Sequence, residues 1–234
     1  MSTPDSNSLS AKALLIHERL CAEYSCPIPY FHSLDPLSEL VSSLLSHRTK
    51  NADSSRAFKN LRTQFPSRES VRDAENSQVE TAISSCTWPE RKAPRVQQIL
   101  KLIEEKCGEL SLDFLGELST PEARAWLETL PGVGPKTSAA VLIFSSLRRA
   151  ALQVDSHHHR VAQRLGLIPA NLSVGPSHKV LEAQLPADWS AQQVYDNHEI
   201  LMLHGQRVCF FRNPACKKCA VLDLCLFGQK RVTR

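Results

Sequence analysis

The chain has 234 residues, 42% hydrophobic and 22% charged, enough for one large domain or two small ones with a real core. A net charge of +4 permits a nucleic-acid partner without requiring one, and taken alone it favours an ordinary solvated surface. No apolar run reaches the roughly 18 residues that span a bilayer, and the polar start MSTPDSNSLS lacks the basic and apolar parts of a signal peptide. The expected setting is therefore intracellular: cytoplasmic and nucleoid-associated in a bacterium, with no membrane partner. There thiols stay reduced, so the eight cysteines call for an explanation other than disulfides.

In chain order, residues 1–8 read as a tail, and Ser8 to Cys21 as a first helix carrying Leu9, Leu14, Leu15, Ile16 and Leu20. Ala22 to Asp35 reads as a connector. After Pro36, the residues Leu37, Leu40, Val41, Leu44 and Leu45 form one helical stripe. A second helix is predicted over Asp53–Arg62. Val96, Ile99, Leu100, Ile103 and Cys107 make another stripe, stopped by Gly108. Two helices bracket Leu130–Gly134, and others are predicted at Ser156–Leu165, Ser177–Leu185 and Ala191–His204. With only 8 glycines and no period-two runs, no strand is predicted and the fold class is all-α.

The turn Leu130-Pro131-Gly132-Val133-Gly134 carries the first chemical signal. Its glycines permit backbone angles closed to other residues and bare the backbone to a large ligand. Val133 is expected to anchor the turn, and Pro135 to start the next helix. The N–H groups at that start suit a DNA phosphate, which is bound without reading sequence. A second signal is Cys209, Cys216, Cys219 and Cys225, spaced C-x6-C-x2-C-x5-C. Four thiolates suit either zinc or an iron–sulfur cluster, and a zinc ribbon ordinarily has two C-x2-C knuckles where this chain has one. Cys21, Cys26, Cys86 and Cys107 lack such spacing and read as core or surface thiols. The run His157-His158-His159 invites a metal, but neighbours on a helix point about 100° apart. Surface or phosphate-contacting histidines are expected instead.

The string LPGVGPKTSAAVL resembles the helix-hairpin-helix signature of endonuclease III-like DNA glycosylases. Val154-Asp155-Ser156-His157 resembles the segment that supplies that family's essential aspartate, and the cysteine spacing resembles its [4Fe–4S] loop. The resemblance runs from Leu37 to Phe227. It implies a two-lobed all-α fold, a six-helix bundle beside an iron–sulfur lobe, with DNA across the cleft. Residues 1–36 would pack with the cluster lobe, 37–148 would form the bundle with the hairpin, and 149–234 the cluster lobe. It implies a monomer that removes oxidised pyrimidines from duplex DNA and cuts abasic sites, with a structural [4Fe–4S] cluster. Lys136 would be the nucleophile and Asp155 its carboxylate. A helix start and partial burial disfavour an ammonium, which pushes a lysine towards the reactive amine. Asp155 can also serve as a helix N-cap.

The resemblance further assigns DNA contacts to Gly132, Val133, Gly134, Thr137 and His157, and marks departures at five positions. Arg48 stands where a gap-filling glutamine is usual, and Asn51 where an aspartate is common. Trp88 stands at an intercalating leucine, and either stacks into the duplex or belongs to the core. Asn213 and Ala215 replace basic residues of the cluster loop. A shifted or narrowed substrate range follows, and other readings stay open: a glycosylase for a pyrimidine dimer or mispaired base, or a DNA-binding iron–sulfur protein without catalysis.

Overall fold

The computed structural model describes residues 6–233. Among them every regular element is helical apart from one isolated bridge between Leu34 and Ser145. The chain divides into two compact units, His32–Arg148 and Arg149 onward together with the residues up to Phe31.

The unit His32–Arg148 holds α2 (Pro36–Ser46), α3 (Asn51–Gln64), α4 (Arg68–Asp73), α5 (Asn76–Ala82), α6 (Pro89–Cys107), α7 (Thr120–Leu127) and α8 (Pro135–Phe144). Helix α8 is the core of this unit. Every residue from Thr137 to Phe144 is buried, as expected of a helix with apolar or small side chains all round. It packs on α2 and α7. The predicted stripe of α2 is its buried face: Leu37, Leu40, Val41, Leu44 and Leu45. Asp35 caps α2, accepting from the N–H groups of Leu37 and Ser38 at 3.1 and 3.0 Å. Gly108, at φ 79°, ends α6 as predicted. The ends of the unit meet where Ser146 N donates to Leu34 O at 2.7 Å.

The other unit holds α1 (Ser6–Tyr24), α9 (Ser156–Leu165), α10 (Val174–Glu182), α11 (Ala191–Arg207) and α12 (Leu226–Val232). Helices α1 and α9 both pack on α11. Tyr30 stacks on Tyr195 with ring centres 4.0 Å apart, and Ile28 N donates to Asp196 at 2.8 Å, so the connector after α1 lies along α11.

Three expectations need correction. Residues 1–5 of the expected tail lie outside the described residues, but Ser6 already belongs to α1. Cys21 and Cys26 are joined by a disulfide, with Cα atoms 4.9 Å apart. The sequence reading makes them core or surface thiols, since they lack a metal-site spacing and a reducing setting is expected. The end of α1 folds the chain back so that the two meet, with Cys26 N donating to Cys21 O. His158 is fully buried rather than at the surface. It shares the inner stripe of α9 with Val161, Ala162 and Leu165, at i, i+3, i+4 and i+7. Among the described residues no helix is long and apolar enough to cross a membrane.

Candidate functional site

The hairpin joins α7 to α8. Leu130 and Val133 are buried and tie the turn to the core. Gly132 has φ 81°, a left-handed backbone, and a Cβ there would meet Arg95 Nη1 at 2.6 Å. Gly134 differs from expectation: its φ is −125°, ordinary extended backbone, and nothing lies within 4 Å of an added Cβ. It bares the surface but has no conformational need to be glycine. Pro135 opens α8, and the N–H groups of Thr137 and Ser138 fold back on Gly134 O at 2.9 Å. The Thr137 hydroxyl is buried against His47 Nε2 at 2.9 Å.

Lys136 is half-buried and lines an open cavity of about 450 Å³ with Leu44, His47, Arg48, Trp88, Arg91, Lys92, Arg95 and Gly132. Five cationic side chains of one unit thus converge beside the hairpin. Burial, with the charges of Lys136 and Lys92, pushes the His47 imidazole down to about 4, so it is neutral near pH 7. Arg48 is exposed at φ 52°. Trp88 is 46% exposed at φ 57° and so is no core aromatic. A left-handed backbone at a non-glycine residue costs roughly 1–2 kcal/mol, and such strain concentrates at functional positions.

Asp155 is the N-cap of α9, accepting from His158 N at 2.7 Å. His157 is half-buried and its Nδ1 faces Arg160 Nη2 at 3.2 Å. Glu199, which carried no signal in the sequence, is held in the same unit. Burial first, and then the charges of Asp155 and Asp196, push its carboxyl up to about 7. The His158 ring lies 5.8 Å from that of His198, and burial first, then the charges of His198, His178 and His159, keep it well below the usual imidazole range.

The four clustered cysteines are free thiols lining one cavity with Val161, Leu165, Val208 and Phe227. Polar groups already point at the sulfurs: Gly228 N donates to Cys225 Sγ at 3.3 Å, Arg164 Nη1 to Cys209 Sγ at 3.2 Å, and His204 Nε2 lies 3.4 Å from Cys219 Sγ. Burial pushes the Cys219 thiol up to about 11, so thiolates here call for compensating positive charge. Among the described residues no three His, Cys, Asp or Glu side chains are gathered tightly enough for one metal ion. Four thiols around an apolar cavity, with N–H groups aimed at sulfur, are the donor set that an iron–sulfur cluster would take. Arg160 Nε donates to Cys209 O at 3.1 Å and its Nη2 to Gly205 O at 2.7 Å. Arg164 Nη1 also donates to Phe210 O at 2.7 Å. Helix α9 is therefore fastened to the cysteine loop.

An Endonuclease III of Bacillus subtilis is 32% identical over 198 residues, covering 84% of each chain. The Escherichia coli Endonuclease III is 29% identical over 221 residues, 94% of this chain and 97% of that one. An Arabidopsis thaliana relative is 32% identical over 182 residues, and this chain spans 59% of its length. The fold is similar to that in a trapped endonuclease III–DNA covalent intermediate, with TM-score 0.80 and 23% identity over 99% of this chain and 100% of that one. Residues 41–189 match the HhH-GPD superfamily base excision DNA repair protein family, and with the hairpin at its centre this chain belongs to that family.

Proposed function

We propose that the protein is a base-excision DNA glycosylase with AP-lyase activity, acting on duplex DNA that contains oxidised pyrimidines or abasic sites. The observation that carries the reading is Lys136, half-buried one residue into α8, beside a left-handed glycine turn and within a cavity lined by cations. The backbone at Gly132 and Gly134, anchored by Val133, binds phosphate, and Thr137 supports it through His47. The amine of Lys136 attacks C1′ of the deoxyribose, and the C1′–N bond to the base breaks with its electron pair leaving on the base. The ring opens to a Schiff base between C1′ and Nζ. Loss of a C2′ proton then expels the 3′ phosphate by β-elimination. Asp155 stabilises positive charge growing on the sugar and exchanges protons with the leaving groups. His157 contacts a phosphate nearby. Arg48 fills the space left by the displaced nucleotide and bonds the orphan base, and Trp88 stacks into the duplex.

Cys209, Cys216, Cys219 and Cys225 would hold a [4Fe–4S] cluster, which supplies structure to the loop. The protein works as an intracellular monomer on DNA. Exposed Trp88 and Arg48, in place of the leucine and glutamine of the similar enzymes, favour a lesion range shifted from standard oxidised pyrimidines, with a dimer or mispaired base as the second reading. Borohydride trapping on abasic, thymine-glycol, dihydrouracil and uracil duplexes tests the assignment. A covalent adduct is expected, and it disappears in Lys136→Gln. Normal trapping by Lys136→Gln ends the assignment.

A further inference from the structure

Arg48 lies in the turn after α2 and Trp88 in the turn before α6, both with left-handed backbone. Neither is glycine, so contacts must hold each turn in place. Those contacts converge on one ammonium group. Lys92, in the first turns of α6, reaches back with Nζ 2.6 Å from Leu45 O, 2.8 Å from His47 O and 2.8 Å from Thr49 Oγ1. Three acceptors use all three of its N–H donors, so this cation is spent inside the protein and not on a phosphate. Burial lowers its pKa. Thr49 Oγ1 also accepts from Thr87 N at 3.1 Å, directly beside Trp88. On the other side of the same turn, His47 meets Thr137, the neighbour of Lys136.

We infer that Lys92 is a positioning residue that locks the Arg48 turn and the Trp88 turn into one wedge, held in register with Lys136. The inference rests on the insertion roles proposed for Arg48 and Trp88. A loose wedge would cost duplex opening while leaving the amine able to react with a sugar that is already accessible.

The test compares an abasic site in a duplex, with 2-aminopurine as the orphan base, against the same strand alone. Borohydride trapping rates and 2-aminopurine fluorescence are read on the full chain. Lys92→Met is expected to slow duplex trapping by about tenfold or more, since small misplacements cost that much, and to abolish the fluorescence change. Single-strand trapping stays within about twofold of the parent. Thr49→Val removes two of the links and gives a smaller loss of the same kind. It also supplies the answer if Lys92→Met does not fold. Equal losses on both substrates would reduce Lys92 to a general structural role and overturn the inference. So would parental duplex behaviour in Lys92→Met alongside losses in Arg48→Ala and Trp88→Ala. If those two alanine variants also behave as the parent, the insertion roles fall and the wedge with them. A parent that traps neither substrate ends the proposed function itself.

Discussion

The two hairpin glycines make different demands. Gly132→Ala must take a left-handed backbone and displace the Arg95 guanidinium, so a loss of about 1–2 kcal/mol in stability is expected, with weaker DNA binding. Gly134→Ala meets open space at an extended φ, and its thermal midpoint should stay near that of the parent. Paired denaturation and DNA-binding curves check the contrast. His158 is the opposite case. Neither of its ring nitrogens has a hydrogen-bond partner, at zero exposure, an arrangement that costs roughly 1–3 kcal/mol. His158→Leu is expected to raise the melting temperature at pH 7, and a fall would show that the buried imidazole earns its place. Lys136 beside the hairpin and the four cysteines around one cavity were legible in the sequence because their spacing is local. Lys92, His47 and Glu199 were not, since their roles come from partners such as Leu45, Thr137 and Asp196 that only the fold brings near.

At the scale of elements, long stripes read well and short helices did not. Helices α2 and α9 begin and end close to where apolar spacing, Pro36 and Gly166 put them. Helices α4, α5 and α12 were missed, since runs of six or seven residues with one or two buried positions show no period. Helix α6 starts well before its apolar stripe, and Pro89 sits at its first helical position, where proline is tolerated. The Cys21–Cys26 disulfide pins the end of α1 to the connector beside α11. Closing so short a loop contributes about 2 kcal/mol. Reduction, or Cys21→Ser, should lower the denaturation midpoint by a matching amount. An unchanged midpoint under reductant would show that the link adds nothing.

For the whole molecule, acid stability follows from the buried imidazoles. His158 and His47 are held below the ordinary value of 6.5 in the folded state. The unfolded chain therefore takes up protons first, and the stability present above pH 6.5 is lost as pH falls towards 4. Glu199 has the opposite sign. Its raised carboxyl contributes stability below its ordinary 4.5 that is lost as pH rises through about 7. Two histidines outweigh one carboxyl, so melting temperature should fall from pH 6.5 to 4.5, less steeply in His158→Leu and more steeply in Glu199→Gln. Thermal melts at closely spaced pH values check both signs.

Helix α9 has a duty at each end. Asp155 caps its start, and its later turns hand Arg160 and Arg164 to the backbone around Cys209. Where it crosses α11 the fit is so close that a methyl group on Gly205 would strike His157. The helix behaves as a rigid beam with the Asp155 carboxylate at one end and the cysteine loop at the other. If the four cysteines hold the proposed cluster, its loss would free the loop and let the beam swing, moving Asp155 and lowering activity with no change at Lys136.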